Sequence, residues 1–312
     1  MQRFLTAATL VALLVATAAA FAITERLKLT KSALMPGTKV SKVFSPTCGC
    51  ARAKANVVLV IRKRDTVDVS ILDAHQREVT SLVSGITLKR GPVRVRWDGK
   101  TDTGVRAPDG AYRVKVHFAT QHQTIVLPNR ILLDTQPPQV VSVTQSRQQF
   151  SPDGDKQADF VRIAYVLSKQ AHLTLFLDGK RILETYRHPA RGSTTWRGKL
   201  PDGSVLPAGT YTLQVGALDL AGNSTPPAER LRVRVEIRYI QLAAKRIVAR
   251  AGKPFAIGVS TDAAKYHWQL GTRKGRNGGA LLQLQAPTSP GLYTLTVSER
   301  GHVSRAHVVV KP

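Results

Sequence analysis

WDGKTDTGVRAPDGAYRVKV, Trp97 to Val116, occurs twice in this chain of 312 residues: WRGKLPDGSVLPAGTYTLQV, Trp196 to Val215, keeps Trp, Gly, Lys, Gly, Pro, Gly and Tyr at the same offsets. Nothing is inserted or lost between the tryptophan and the tyrosine, which means that the local geometry is fixed. The stretch reads as a strand ending on a large aromatic, a glycine-rich turn, and a strand led in by Gly-x-Tyr. Asp98-Gly99 and Thr103-Gly104 supply positive φ and local side-chain hydrogen bonds, Pro108 fixes φ, and Asp109-Gly110 leads into Ala111 to Phe118. The pattern predicts a β-hairpin. On its second strand Tyr112, Val114 and Val116 alternate with Arg113 and Lys115, giving one dry and one basic face. Tyr211, Leu213 and Val215 repeat the alternation.

Outward from the cassette the repeat continues. Phe150-Ser151-Pro152 matches Phe44-Ser45-Pro46 at an offset of 106. At that offset Val161, Ile163, Tyr165 and Leu167 fall on Ala55, Val57, Leu59 and Ile61, and Leu173, Leu175 and Leu177 on Val67, Val69 and Ile71. By the tryptophans the offset has dropped to 99, so the second copy is seven residues shorter, a loss expected in a connecting loop. Val93, Val95 and Trp97, and then Thr124 to Leu133, read as further strands. Asp134-Thr135-Gln136-Pro137-Pro138 is a stiff joint, because prolines cannot donate to a ladder and the sheet must end there.

FSPDGDKQADFVRIAYVLSKQAHLTLFLDGK from Phe150, the Trp-to-Tyr cassette, and ALDLAGNS at Ala217 to Ser224 resemble the FlgD-type immunoglobulin-like domains of bacterial surface proteins, first recognised in the flagellar hook-capping protein. The resemblance covers about residues 40 to 237 as two tandem copies. It implies β-sandwich modules within a larger surface protein and brings no catalytic residues. The N-terminal segment through which the hook-capping protein works has no counterpart here, so a role in hook assembly is not implied.

Tyr239 to Pro312 reads as a third, smaller Ig-like sandwich, with strands expected at Phe255 to Val259, His267 to Leu270, Leu281 to Leu284, Leu292 to Ser298 and Ala306 to Val310. GTRKGRNGG, Gly271 to Gly279, reads as a basic flexible loop: a mobile hairpin tip or, alternatively, a contact for phosphate or anionic sugar. The fold class is all-β, tandem immunoglobulin-like sandwiches preceded by one N-terminal transmembrane or signal helix. The organisation is an anchor or signal at 1–23, a stalk at 24–37, FlgD-type domains at 38–137 and 138–237, and a small sandwich at 238–312.

Composition agrees with this. Hydrophobic content of 43% supports real cores, and no helical period follows residue 30. Residues 4–23, FLTAATLVALLVATAAAFAI, carry no charge and are long enough to span a bilayer. They read as an uncleaved single-pass anchor or, with Ala20-Phe21-Ala22 as the cleavage site, as a removed signal. Either reading exports the remainder, although Arg26, Lys28 and Lys31 place more positive charge after the segment than before it.

The formal net charge is +26, from 46 basic and 20 acidic residues spread along the chain. Arg94 with Arg96, Arg113 with Lys115, and Arg232 with Arg234 sit two apart and share outer strand faces. The partners expected are an anionic wall polymer, a polysaccharide or another envelope protein, together with the membrane through residues 4–23, with a solvated basic surface kept for solubility as the alternative; export argues against nucleic acid.

Three candidate sites remain. Cys48-Gly49-Cys50 holds the only two cysteines, which in an exported chain can pair with each other; a metal contact, an intermolecular bridge or free thiols are the alternatives. Asp153, Asp155, Gln157 and Asp159 alternate along one loop, a spacing of oxygens that suits calcium or, alternatively, a turn held by Asp side chains. Trp97, Tyr112, Trp196 and Tyr211 read as core, with a sugar-stacking platform as the alternative. No nucleophile, metal-hydrolase or Walker motif is present, so the chain is expected to be a non-enzymatic envelope protein, with a calcium- or ligand-binding accessory module as the alternative.

Overall fold

Strands that alternate apolar with polar residues bury one face, so they must form sheets and stack them in pairs. The computed structural model describes residues 11–24 and 34–312, and its strands make three such pairs. In the first sandwich the strands are β1 (Gly37–Val40), β2 (Val43–Phe44), β3 (Ala55–Ile61), β4 (Asp65–Leu72), β5 (Glu78–Leu88), β6 (Gly91–Trp97), β7 (Gly110–Phe118) and β8 (Gln123–Leu133). They form a three-stranded sheet β1-β3-β6 and a five-stranded sheet β2-β8-β7-β4-β5. The second sandwich has β9 (Val140–Gln145), β10 (Gln149–Phe150), β11 (Val161–Leu167), β12 (Ala171–Leu177), β13 (Lys180–Glu184), β14 (Arg191–Trp196), β15 (Gly209–Asp219) and β16 (Leu231–Ile237). Its sheets, β9-β11-β14 and β10-β16-β15-β12-β13, repeat the first order strand for strand.

The third sandwich, though no sequence repeat of the others, is wired in the same way. Its strands are β17 (Gln241–Leu242), β18 (Arg246–Arg250), β19 (Pro254–Ser260), β20 (Tyr266–Leu270), β21 (Arg273–Asn277), β22 (Leu281–Gln285), β23 (Gly291–Glu299) and β24 (His302–Lys311). They pair as β17-β19-β22 and β18-β24-β23-β20-β21. Among the described residues the only parallel pairing in each sandwich is between the second strand and the last: β2 with β8, β10 with β16, β18 with β24. Each sandwich closes over its own apolar core.

The Trp-to-Tyr cassette is not a hairpin between its flanking strands. Strand β6 pairs with β3, with Trp97 opposite Ala55, whereas β7 pairs with β4 and β8 in the facing sheet. The chain therefore crosses the sandwich here, and β14 to β15 does the same. The reason is that both aromatics face inward from opposite layers. Trp97 and Tyr112 meet across the core with ring centroids 4.7 Å apart, edge to face. The turn signals belong to a small pinch inside the crossing, where Lys100 bridges Arg106 and Lys199 bridges Val205.

Two further expectations change. The residues missing from the second copy shorten a strand as well as a loop: β5 has 11 residues and its counterpart β13 has 5, and the turn before it contracts from residues 73–77 to 178–179. Both strands lie on a sheet edge, where trimming leaves the core intact. Much of GTRKGRNGG is strand β21, paired antiparallel with β20, rather than a flexible loop. Gly275 allows it, since a Cβ there would fall 2.9 Å from the Trp268 indole.

Residues 11–24 are helical. No helix among the described residues is long and apolar enough to cross a membrane. Residues 4–10 of the expected anchor and 25–33 of the expected stalk lie outside the described residues. The chain divides into two compact units: the first ends at Gln136 and takes in Leu220–Asn223, and the second comprises Pro137–Asp219 with Ser224–Pro312, so the second and third sandwiches belong to one unit.

Candidate functional site

The aromatic cassettes are core. Trp97 is 1% and Trp196 2% exposed, and their indole N–H groups donate to Lys100 O at 2.8 Å and Lys199 O at 3.0 Å. Gly99 (φ +80°) and Gly198 (φ +66°) sit where a Cβ would press on Pro46 at 3.1 Å and on Ile237 at 2.9 Å. This explains why the Trp-x-Gly-Lys cassette and the Phe-Ser-Pro motif recur together. The buried Tyr112 and the half-buried Tyr211 donate to Pro108 O at 2.6 Å and Pro207 O at 2.8 Å. In the third sandwich Tyr293 donates to Ser289 O at 3.0 Å over the same four-residue span. These are tyrosine corners.

The two loops after Phe-Ser-Pro differ. In the first sandwich the sulfurs of Cys48 and Cys50 lie at bonding distance, 2.16 Å, with Cα atoms 5.2 Å apart. Gly222, which belongs to the same compact unit, packs on both; a Cβ there would fall 2.5 Å from Cys50 Sγ. In the second sandwich the carboxylates of Asp153, Asp155 and Asp159 gather with one oxygen each within 4.8 Å of the others. Asp159 accepts from Gly154 N at 2.7 Å and Lys156 N at 2.9 Å, and Asp153 Oδ2 accepts from the buried Ser151 hydroxyl at 3.1 Å. Gln157 is exposed, and its backbone N–H donates to Asp155 Oδ1 at 2.6 Å.

Two acids of the third sandwich that sequence reasoning missed are shifted by burial and by the charge of this loop. Burial, with the charges of Asp153 and Asp155 adding to it, pushes the Asp262 carboxyl up to about 6. Burial and then Asp153 push Glu299 upward as well. Both reside in the third sandwich, more than a hundred residues along the chain from the Asp153 loop, and no local spacing links them to it.

The basic strand faces expected from Arg94 with Arg96 and from Arg232 with Arg234 are exposed, while Arg113 and Lys115 are half-buried. In the second sandwich the first of these themes deepens into a groove of about 810 Å³ between β9 and β16, lined by Arg147, Arg232, Arg234, Gln145 and Gln148. Gln145 Nε2 donates to Arg234 O at 2.8 Å and holds its floor. Glu236, also in its wall, is engaged by Arg238. Arg147 is the residue here that sequence reasoning missed, since it lies in the turn between β9 and β10 and not on a strand face.

Three sandwiches of one wiring, with sites in loops and edge grooves, define a structural or binding module of the tandem Ig-like class. Residues 53–122, within the first sandwich, match the family model of the FlgD Ig-like domain. No curated protein matches the chain. Among solved structures it is similar to the I-band fragment I67-I69 from titin, at 11% identity, TM-score 0.28, over 88% of this chain and 98% of that one. It is also similar to the native conformation of E. coli alpha-2-macroglobulin, at 10% identity and TM-score 0.26, over 88% of this chain and 22% of that one. The extracellular domains 3-5 of Drosophila OTK match at 10% identity and TM-score 0.19, over 88% of this chain and 96% of that one. At these identities none of them bears on what this chain binds.

Proposed function

We propose that the chain is a non-enzymatic, membrane-tethered protein of the cell envelope that presents its sandwiches to an anionic wall polymer. The observation that carries this reading is the β9–β16 groove, which offers three arginines and a glutamine floor in an open cleft. Arg147, Arg232 and Arg234 are exposed and enter no ion pair among the described residues, so their guanidinium donors are available to carboxylate or phosphate groups of a polymer. The FlgD Ig-like domain at 53–122 and the apolar run at 4–23 support the envelope location and the tether.

Co-sedimentation of the purified chain with isolated wall polymer tests the reading. Binding is expected to weaken with rising salt and to fall at least about tenfold when Arg147, Arg232 and Arg234 are all changed to Ser, because each lost charge-assisted contact is worth about 1.5–3 kcal/mol when desolvated and less in an open groove. Binding that the triple variant leaves unchanged would remove the groove from the account.

A further inference from the structure

We propose that the outer face of the five-stranded sheet β18-β24-β23-β20-β21 of the third sandwich is a binding surface in its own right, and that its occupant is a linear polymer of polyol units joined by phosphodiesters, laid along β23. The inference takes from the reading above only that the chain meets an anionic polymer; the surface, its residues and the ligand chemistry are separate. Tyr239 to Pro312 holds 11 basic residues and two acidic ones. Six of the basic ones, Arg246, Arg250, Lys274, Arg276, Arg305 and Lys311, are exposed on this one sheet, and none enters an ion pair among the described residues. Neither acid shares the face. Asp262 precedes β20 in a loop, and Glu299 follows Ser298 on β23 and so points to the opposite side. In the equivalent sheets of the other two sandwiches acids temper the charge, Glu78 pairing with Lys115 and Glu184 with Arg181.

Cross-strand partners share a face, so the strand register maps this surface row by row. One row reads Arg276, His267, Ser298; the next Lys274, Gln269, Thr296, Arg305; the third Thr294, His307, Arg246. Over these rows the central strand β23 presents only short hydroxyl side chains, at intervals of about 7 Å, and longer basic side chains rise on both sides of it. The result is a trough with a hydroxyl floor. Its β20–β21 flank holds a cavity of about 280 Å³ lined by His267, Gln269, Lys274, Arg276, Thr296 and Ser298. One row further along β23 the surface turns apolar, with Leu292 beside Val309 and Val248.

Shape and charge together select the ligand. Strands about 4.8 Å apart set the Cα atoms of Lys274 and Arg305 about 14 Å apart, a width that admits one polymer strand with long side chains closing on it from both walls. A phosphodiester has two free oxygens that diverge tetrahedrally, so each wall can hold one, whereas a carboxylate offers both of its oxygens to the same side. The floor hydroxyls donate to the same groups. No Phe, Tyr or Trp ring lies on the face, because Trp268 and Tyr293 occupy the alternate positions and pack against the apolar core. Bases and sugar rings find nothing to stack on, which disfavours nucleic acid and pyranose chains. The row at Leu292 suits the carbon atoms of a polyol.

Anisotropy titration of end-labelled poly(glycerol phosphate) with the full chain, in detergent, tests the proposal. Binding is expected to weaken with rising salt and to fall at least about tenfold in the triple variant Lys274→Ser, Arg276→Ser, Arg305→Ser. Thr294→Glu, which sets a repelling charge on the trough floor, is expected to lose at least about fivefold. Both variants change exposed side chains and should melt within about 2 °C of the parent, which separates lost binding from lost fold. Changing Arg147, Arg232 and Arg234 to Ser should alter this binding by less than about twofold. At equal concentrations of charge, oligothymidylate, polygalacturonate and phosphatidylglycerol vesicles should each bind at least about fivefold more weakly than poly(glycerol phosphate). Affinity unchanged by both face variants would overturn the proposal, and so would any of the three competitors binding as tightly as the polyol phosphate. Binding lost in the groove variant and kept in the face variants would strike this surface and leave the groove reading standing. Failure of the groove reading shows separately, because it is read with isolated wall polymer and the groove variant.

Discussion

Between β2 and β3 the first sandwich makes a loop, Ser45 to Lys54, that the second repeats between β10 and β11 as Ser151 to Phe160, and the two are held shut by different chemistry at equivalent positions. Both begin on a serine buried under the core. Ser45 Oγ lies 3.0 Å from Thr47 Oγ1, and Ser151 Oγ makes the same bond to Asp153, which stands 106 residues on from Thr47. In the first loop sulfur joins positions 48 and 50. Their counterparts at the same offset are Gly154 and Lys156, and it is their two N–H groups that the Asp159 carboxylate gathers. The fold asks for a clasp across two alternate residues, and either a sulfur pair or a carboxylate supplies it. The difference is what is left over. A carboxylate that accepts two N–H groups keeps its negative charge and further hard lone pairs, whereas the sulfur pair is neutral and soft.

The comparison presumes equal frames beneath the loops, and the largest effect tests that. Trp97→Ala and Trp196→Ala each empty the centre of a core and are expected to cost about 3–5 kcal/mol, each in its own sandwich. Urea unfolding followed by peptide-resolved hydrogen exchange reads the two separately. A loss under about 1 kcal/mol for either one would show that the cassettes are alike in sequence and unlike in role.

The clasps come next in size. A reductant should loosen only the first loop, by less than about 2 kcal/mol, since closing so short a ring removes little chain entropy. Asp159→Ala should loosen only the second, by about 1–2 kcal/mol in the presence of chelator, through the loss of two charge-assisted bonds on a partly exposed loop. Exchange rates at Gly154 and Lys156 report the second effect. If Asp159→Ala left those amides protected, the carboxylate would not be the counterpart of the sulfur pair.

Much of the frame was legible because its strands alternate. In β3, β4, β11 and β12 every second side chain is buried, and the offset of 106 aligns the two sets directly. The crossing was misread because glycine and proline announce a turn without saying which sheet receives the next strand; that is decided by Trp97 and Tyr112 meeting from opposite layers. Strands β18 and β21 left weak or no apolar signals. Only Ala249 of β18 is fully buried, and β21, Arg-Lys-Gly-Arg-Asn, is an edge strand held by backbone pairing with β20. Of the acidic site, the Asp153 loop could be read from its spacing. The upward shifts of Asp262 and Glu299 could not, because burial in the third sandwich causes them first and no local spacing marks it.

The smallest effect refines the comparison by extending it to the third sandwich. Tyr112, Tyr211 and Tyr293 each tie a hydroxyl to a carbonyl four residues back, but only the Tyr112 ring is fully buried; the other two are half-buried. Burial, with Asp73 and Asp109 adding to it, raises the Tyr112 phenol, and burial alone raises that of Tyr211, so each hydroxyl is held as a neutral donor. Phe at position 112 removes a bond where water has little room to replace it and is expected to cost about 1–1.5 kcal/mol, while Tyr211→Phe and Tyr293→Phe admit water and are expected to cost about 0.5 kcal/mol or less. Urea midpoints of the three variants give the order. If Tyr211→Phe cost more than Tyr112→Phe, the corner would be tightening the crossing rather than satisfying a carbonyl, and the two cassettes would have to be treated as differently strained versions of one design.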